Sequence, residues 1–161
     1  MSLKDLNQSN IQRQNILNNN IAIEKISKYI DFTGIYFQEE YKYTKQMIAT
    51  FYGVDERTID RYLEKFRDEL KTNGYVLVKG KSLKELKSTF SHVINVASKT
   101  IQIGLVNFRT FLNIGMLLVE SENAKILRSR ILDIAIKTIN EKNGCGTKYI
   151  IEMMQTIYLQ H

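Results

Sequence analysis

Two arginines, Arg57 and Arg61, stand four residues apart in a segment with helical periodicity. Residues at this spacing share one face of a helix, so the two guanidinium groups would point the same way. A guanidinium group binds phosphate, or the major-groove edge of guanine, through paired hydrogen bonds. Together with their neighbours Glu56, Thr58 and Asp60, the arginines are predicted to form a set that reads DNA bases.

The residues around this set fit a helix-turn-helix, the two-helix unit whose second helix enters the DNA major groove. Ile48 and the small residue Ala49 lie on the inner face of the predicted first helix, where the second must cross closely. Gly53 stands where the turn needs positive φ, and Asp55 is a good N-cap. The residues predicted to pack back on the first helix are Ile59, Tyr62 and Leu63. The alternative is an ordinary helical hairpin.

The attraction to phosphate must come largely from outside the second helix, because residues 55–71 carry five basic and six acidic side chains. Neutralisation of phosphates by lysine and arginine supplies most non-specific affinity for DNA. We therefore predict phosphate contacts from Lys65 and from polar and basic residues near the two helices. The predicted phosphate-binding residues are Lys42, Thr44, Lys45, Lys65, Lys79 and Lys81.

The stretch from Lys79 to Ser82 contains the Gly-Lys-Ser sequence of a nucleotide phosphate-binding loop. The full motif requires another glycine five residues before Gly80, and Tyr75 occupies that position. We therefore interpret this stretch as the basic end of a strand that contacts DNA phosphates beside the reading helix, much as a wing does.

Three stretches have strand character. Aromatic residues on both sides of a polar Gln-Glu-Glu tip predict a short hairpin within residues 34–43. Residues 75–78 predict a strand, which we expect to pair with this hairpin and to form the sheet of a winged motif. The alternation of apolar and polar residues over positions 101–105 is compatible with a further short strand.

Helical periodicity predicts the elements that follow the turn of the motif. The second helix is expected to run from Asp55 to about Thr72, because its apolar stripe continues and the Asn73-Gly74 pair is a good stop. Ser82 is predicted to cap a short helix over residues 83–88.

The predicted fold class is mainly α, of the α+β type, with three parts. Residues 1–30 predict an N-terminal helix, and residues 31–88 predict a winged helix-turn-helix domain with a small hairpin and strand. Residues 89–161 predict a mostly helical C-terminal domain for dimerisation or effector binding. This last part contains a long helix from the N-cap Ser121 to about Glu141.

Composition narrows the classes of function. The 161 residues are 43% hydrophobic and 25% charged, which is ordinary for a globular protein, and no apolar run reaches the length of a membrane span. A net charge of +6 suits an anionic partner. The single cysteine, Cys145, and two histidines argue against a metal site, and no set of catalytic residues stands out. We expect a cytoplasmic protein that is not an enzyme and uses no cofactor or metal.

Ten residues between Thr44 and Ile59 match the pattern Thr-x-x-x-Ile-Ala-x-x-Phe/Tyr-Gly-Val-Asp-x-Arg-Thr-Ile. This segment resembles the RhuM family of virulence-associated bacterial proteins, which is related to phage antirepressor-type regulators. A later family element, an apolar residue and glycine followed by Ala-x-x-Phe-Arg on a helix, is similar to Ile114-Gly115 and residues 124–128 here. The resemblance implies a DNA-binding, regulatory protein and no established reaction.

The chain departs from that family after its glycine-rich turn at residues 144–147. The family continues with a polar run, whereas the tail from Ile151 onward is rich in apolar residues. We interpret this tail as the product of a shifted reading frame.

These observations favour a sequence-specific regulator of transcription that binds duplex DNA as a homodimer. One reading helix offers few base contacts, and two-fold symmetry doubles them. The apolar stretch between Val93 and Val119 is the expected dimer interface. The alternative is a protein-interaction module, in which the two helices are structural and residues 93–136 dock a toxin or a phage protein.

Overall fold

The computed structural model describes residues 6–143 of the chain, apart from Asn95 and Ser98. The predicted turn around Cys145 and the tail from Ile151 lie outside these residues. The architecture is α+β, with mostly helical segments and one antiparallel sheet, as predicted. After a 3-10 turn at Leu6–Gln8, the elements are α1 (Asn10–Leu17), α2 (Asn20–Tyr29), β1 (Ile35–Phe37), β2 (Glu40–Thr44), α3 (Lys45–Tyr52), α4 (Glu56–Lys65), α5 (Arg67–Asn73), β3 (Tyr75–Lys79), α6 (Gly80–Phe90), β4 (Gln102–Asn107), α7 (Phe108–Leu117) and α8 (Glu122–Asn143).

The described chain forms two compact units. The middle unit is Phe32–Phe111, and the terminal unit comprises the segments up to Asp31 and from Leu112. This division differs from the predicted boundary after residue 88, because β4 is a central strand of the sheet and belongs to the middle unit. The N-terminal helices share a unit with α8 instead of forming a separate part.

The sheet lies in the middle unit and has the strand order β1-β2-β4-β3, with every neighbouring pair antiparallel. β1 and β2 confirm the predicted hairpin. Its tip residues, Gln38 and Glu39, have φ values of 54° and 68°. Two successive positive φ values are characteristic of the type I′ turn, whose twist matches that of the paired strands.

β3 confirms the strand predicted at residues 75–78, but the expected pairing of this strand is wrong. β3 pairs with β4, and β4 lies between β3 and the hairpin. β4 also confirms the strand predicted within residues 101–105. β4 is a central strand of the sheet, and it pairs five of its residues with β3 and three with β2. The β3–β4 connection contains α6, where a winged motif has a short turn.

The helix expected to continue from Asp55 to Thr72 breaks at Phe66. The φ and ψ values of Phe66 are −113° and 32°, outside the helical region. α5 follows the break, packs against β3 and fully buries Leu70. The predicted stop at Gly74 is confirmed as the C-cap of α5. Packing on the sheet therefore divides a stretch that local periodicity favours as one helix.

Two further helix boundaries differ from the sequence prediction. α6 begins at Gly80, so Ser82 lies inside its first turn and does not cap it. The N-terminal helix is divided into α1 and α2 at Asn18 and Asn19. The Asn19 side chain accepts a hydrogen bond from the Ala22 N–H at 3.0 Å. Asparagine competes with the helical backbone for hydrogen bonds, so the polar run ends one helix and begins the next.

The two faces of the sheet carry two different cores. The core between the sheet and α6 consists of Ile35, Phe37, Val78, Leu83, Leu86, Ile94 and Leu105. The core that contains Tyr43 of β2, on the opposite face, is aromatic and consists of Phe32, Tyr43, Phe51, Tyr52, Phe108 and Phe111. The Tyr52 hydroxyl donates a 2.8 Å hydrogen bond to the Phe111 carbonyl, which ties α3 to the beginning of α7.

In the terminal unit, α8 begins where the sequence predicts. The Ser121 hydroxyl oxygen accepts a hydrogen bond from the Ala124 N–H at 2.9 Å, which confirms it as the N-cap. The helix runs to Asn143, close to the predicted end at Glu141. The apolar spacing of this helix predicts an inner stripe of Ala124, Leu127, Ile131 and Ile134, of which the first three are buried and Ile134 is half-buried. The residues predicted for its outer face are exposed, and they are Arg130, Asp133, Lys137 and Glu141.

Arg128 of α8 is buried, with 8% of the residue exposed. Its guanidinium group donates hydrogen bonds to the Gly115 and Leu118 carbonyls near the end of α7. The last carbonyls of a helix lack partners within the helix and carry its negative dipole end. Arg128 therefore satisfies and neutralises the end of α7, which explains how a charged residue is tolerated at a buried position.

The apolar stretch between Val93 and Val119 is largely buried within the chain. Every residue from Thr110 to Leu117 is buried, while Val93, Ile101 and Val119 remain exposed. This burial removes the argument that the stretch needs a dimer interface to leave water. Among the described residues, no helix combines the length and apolar character that crossing a bilayer requires.

Candidate nucleic-acid interface

α3 and α4 are joined by the tight turn that the sequence predicts. The Thr44 hydroxyl oxygen accepts a hydrogen bond from the Met47 N–H at 3.2 Å and caps α3. α3 ends at Gly53, whose φ value of 67° is left-handed. The Val54 N–H then donates to the Ala49 carbonyl at 3.0 Å, so the end of the helix is satisfied. A side chain at Gly53 would strain this turn.

The inner face of the two helices is packed as predicted. Ile48 and Ala49 of α3 are 1% and 4% exposed, and Ile59 of α4 is fully buried. Tyr62 is buried as well, and Leu63 is half-buried at the edge of this contact. The apolar spacing in the sequence therefore correctly fixes which side of α4 faces the protein.

The opposite side of α4 is exposed and carries both arginines of the predicted base-reading set. Arg57 and Arg61 lie one turn apart on this side, and Glu64 lies beside them. The guanidinium carbon of Arg61 is 5.4 Å from the ring centroid of Tyr62, which supports its stem against the helix. α4 therefore presents two neighbouring guanidinium groups to solvent.

Thr58, another member of the predicted base-reading set, takes part in the cap of α4. The Asp55 carboxylate accepts hydrogen bonds from the Thr58 hydroxyl and the Thr58 N–H, each at 2.8 Å. These two bonds, with smaller contributions from the charges of Arg57 and Arg61, hold the pKa of Asp55 below its ordinary value. The Thr58 hydroxyl proton is thus directed to Asp55 and not to solvent.

Glu56 and Asp60 lie on the flank of α4 that faces α3 and the sheet. Asp60 forms an ion pair with Lys45, with 3.0 Å between Nζ and Oδ1. The structure therefore joins a predicted base-reading residue to a predicted phosphate-binding residue. Both groups lie close to Tyr75, whose pKa is raised by burial and secondarily by the negative charge of Asp60.

A cleft of about 240 Å³ lies on this flank, between α3, α4 and strands β3 and β4. Its apolar wall includes Ile48, Leu63 and Val106, and its polar rim includes Lys45, Glu56, Asp60, Gln102 and the Tyr75 ring. Gly104 forms part of the lining, and a Cβ atom added there would lie 2.8 Å from the Tyr75 ring. The absence of a side chain at this position lets Tyr75 lie across β4.

Two predicted phosphate-binding residues, Lys42 and Thr44, are buried. The Lys42 side chain is 8% exposed, and its Nζ lies 2.6 Å from the Glu40 carboxylate. This pairing corrects the sequence prediction and removes Lys42 from the groups available to phosphate. Thr44 is 6% exposed and serves as the cap of α3. Lys65 is exposed at the end of α4, with its Nζ 5.4 Å from the Phe66 ring centroid.

The remaining predicted phosphate-binding residues, Lys79 and Lys81, are exposed where β3 meets α6. Lys84 is exposed one turn later, whereas Lys87 donates a hydrogen bond to the Thr100 carbonyl at 2.8 Å. Residues 32–111 carry thirteen basic and nine acidic side chains, so this part of the chain holds four of the six net positive charges.

Sequence reasoning missed Tyr75 and Gly104 as site residues. Tyr75 is 15 residues from Asp60 along the chain, and only the pairing of β3 with β4 brings it over Gly104. A glycine inside an alternating strand is a signal for a close approach of another group. That signal is present at Gly104, but the sequence does not say which group approaches.

No other constellation with evident chemistry is found in the described part of the chain. Groups of three or more metal-ligating His, Cys, Asp or Glu side chains are absent there. His92 is exposed after the end of α6. Comparisons of the chain with protein families, curated proteins and solved structures give no match.

Proposed function

We propose that the protein binds duplex DNA sequence-specifically through α4 and regulates transcription. The exposure of Arg57 and Arg61 on the side opposite Ile59 carries this proposal. Two guanidinium groups one turn apart can each make a bidentate contact with a guanine in the major groove. The turn at Gly53 and the cap at Asp55 position α4 so that both arginines are exposed on its outer side.

The junction of β3 and α6 supplies the phosphate-binding part of the proposal. A strand rises about 3.3 Å per residue, so Lys79 lies about 13 Å along β3 from Tyr75, which borders the cleft beside α4. The major groove is about 12 Å wide, so this distance suits contacts with a phosphate backbone that flanks the reading helix. In this arrangement α6 takes the position of a wing, and the protein is a RhuM-like winged helix-turn-helix regulator.

The salt dependence of binding to random duplex DNA tests the proposal. We expect log K to fall linearly with log salt concentration, with a slope of about −3 or steeper for contacts from several lysines. Fluorescence anisotropy with a labelled duplex measures this slope. A slope near zero, or no binding at low salt, would contradict the proposal and favour a protein-interaction module.

Two matched variants separate local phosphate contacts from net charge. Lys81→Ala removes one positive charge from the start of α6, and Lys125→Ala removes one from an exposed position on α8. We expect Lys81→Ala to lower the salt slope by about one and to weaken all sequences similarly. Lys125→Ala should leave the slope unchanged. Equal effects would show that only the total charge of the chain matters.

The proposal includes a homodimer on DNA, because α4 offers only two arginines for base contacts. Two-fold symmetry would double this number and place two copies of α4 on half-sites about one helical turn apart. Light scattering at micromolar concentration, with and without DNA, measures the mass. Once the mass of bound DNA is subtracted, a protein mass of 18.8 kDa under both conditions would reject the dimer, and a mass of twice this value would support it.

A further inference from the structure

The cleft beside α4 has an unbalanced charge. Two carboxylates, Glu56 and Asp60, and one ammonium group, Lys45, are the charged side chains that line it. Lys45 is paired with Asp60 at 3.0 Å, and Glu56 makes no ion pair within the described residues. The side chains that line the cleft therefore carry a net charge of −1.

The remaining lining defines what else an occupant must satisfy. Ile48, Leu63 and Val106 provide an apolar wall, and the Tyr75 ring lies across Gly104 at the side of the cleft. An aromatic ring attracts cations to its face and apolar groups to its surface. The volume of about 240 Å³ is just below the usual range for drug-sized ligands, so the occupant is small.

We propose that this cleft binds a small organic monocation, a primary amine with a short apolar or aromatic body. The ammonium group would neutralise Glu56, and the body would lie between the apolar wall and Tyr75. An anion is disfavoured because it would meet the uncompensated carboxylate, and a DNA phosphate is disfavoured for the same reason. The cleft is thus distinct in chemistry from the basic surface proposed for DNA.

The proposal extends to regulation, and this part rests on the proposed function. The occupant would contact the flank of α4 whose outer side carries Arg57 and Arg61. Neutralising Glu56 removes a negative charge from the helix proposed to face DNA. The amine should therefore raise DNA affinity, by about five-fold if the coupling is at the low end of the usual range, and DNA should raise amine affinity equally.

Three probes of nearly one shape test the charge preference. Tyramine carries the amine, 4-ethylphenol lacks it, and 3-(4-hydroxyphenyl)propionate replaces it with a carboxylate. In NMR titrations of the full chain to about 10 mM probe, tyramine should shift the amides of Glu56 and Gly104 saturably, and bind about ten-fold more tightly than the other two. Equal binding of the three probes, or no saturable shift with tyramine, would overturn the proposal.

A pair of carboxylate variants on the same helix tests the assigned residue. Glu56→Gln keeps the shape of the side chain and removes its charge, and Glu64→Gln makes the same change at an exposed position outside the cleft. Glu56→Gln should abolish the preference for tyramine over 4-ethylphenol, while Glu64→Gln should retain it. Loss of the preference in both variants, or in neither, would overturn the assignment.

Measuring DNA binding at low salt together with tyramine binding separates the proposed DNA-binding function from the proposed amine site. Tyramine binding without DNA binding at low salt would leave the amine site standing and reject the proposed function. DNA binding without tyramine binding would reject the amine site and leave the DNA interface standing. Binding of both without mutual enhancement would reject only the regulatory coupling.

Discussion

α4 and α7 have the same length of ten residues and opposite surroundings. α7 has one charged residue, Arg109, and is buried continuously from Thr110 to its end. α4 has six charged residues and buries only Ile59 and Tyr62. A helix buried on all sides contributes to stability, whereas a helix anchored along one narrow stripe leaves its other faces available to a partner. This contrast supports the proposal that α4 is the helix that contacts a partner.

The largest effect on stability is expected from a substitution in the buried stripe of α4, which consists of Ile59 and Tyr62. Ile59→Asp should unfold the middle unit, because burying an unpaired carboxylate at a fully buried position costs several kcal/mol, about 4 or more. Circular dichroism and proton NMR would show the loss of structure. Arg57→Asp places the same carboxylate on the exposed side and should remain folded. A folded Ile59→Asp variant would show that α4 is not anchored by this stripe.

Replacing one leucine by alanine in α7 and one in α4 compares how much each helix contributes to the free energy of unfolding. Leu112→Ala in α7 removes a fully buried side chain and should lower the free energy of unfolding by about 2–5 kcal/mol. Leu63→Ala in α4 removes a half-buried side chain and should cost less than half as much. Urea unfolding followed by circular dichroism gives both values. Equal losses of unfolding free energy in the two variants would contradict the distinction between the buried helix α7 and the exposed helix α4.

A smaller loss of stability is expected when the hydrogen bonds between Arg128 and the end of α7 are removed. Arg128→Met keeps most of the apolar stem but removes the donors to the Gly115 and Leu118 carbonyls, and should cost about 2 kcal/mol. Arg130→Met changes an exposed arginine on the same helix and should be within about 0.5 kcal/mol of the parent. Equal midpoints of urea unfolding for the two variants would contradict the capping role of Arg128.

The cap of α4 predicts a dependence of stability on pH. The pKa of Asp55 is lower in the folded chain than its ordinary value of 3.8, mainly because of the two hydrogen bonds from Thr58. Its contribution is therefore fully present above about pH 4 and is lost as the pH falls through the folded pKa. Asp55→Asn should lose less stability between pH 6 and pH 3 than the parent. An identical loss in the two proteins would exclude Asp55 as a source.

The elements that local signals determine are those that the sequence predicts. Gly53 and Asp55 mark the turn and the cap of α4, Ser121 marks the start of α8, and the polar tip at Gln38 marks the hairpin. Each feature depends on residues within about one turn of each other. The sequence therefore predicts these elements together with the buried side of α4.

The features that sequence reasoning missed depend on distant parts of the chain. The position of β4 between β2 and β3 is decided by pairing across α6, and the break at Phe66 accompanies the packing of α5 on β3. The ion pair between Lys45 and Asp60, and the placement of Tyr75 over Gly104, also require the folded sheet. Periodicity gives the face of a helix, but it does not give the neighbour that this face meets.

Comparing the stability and the DNA affinity of Arg57→Ala and Arg61→Ala tests the assignment of α4 most directly. Both positions are exposed, so each variant should unfold within about 0.5 kcal/mol of the parent. Each should lose about 1–3 kcal/mol of affinity for a DNA site selected by the parent protein and relax its preference at one base pair. Unchanged stability with unchanged affinity for that site would contradict the account of α4 as a DNA-reading helix.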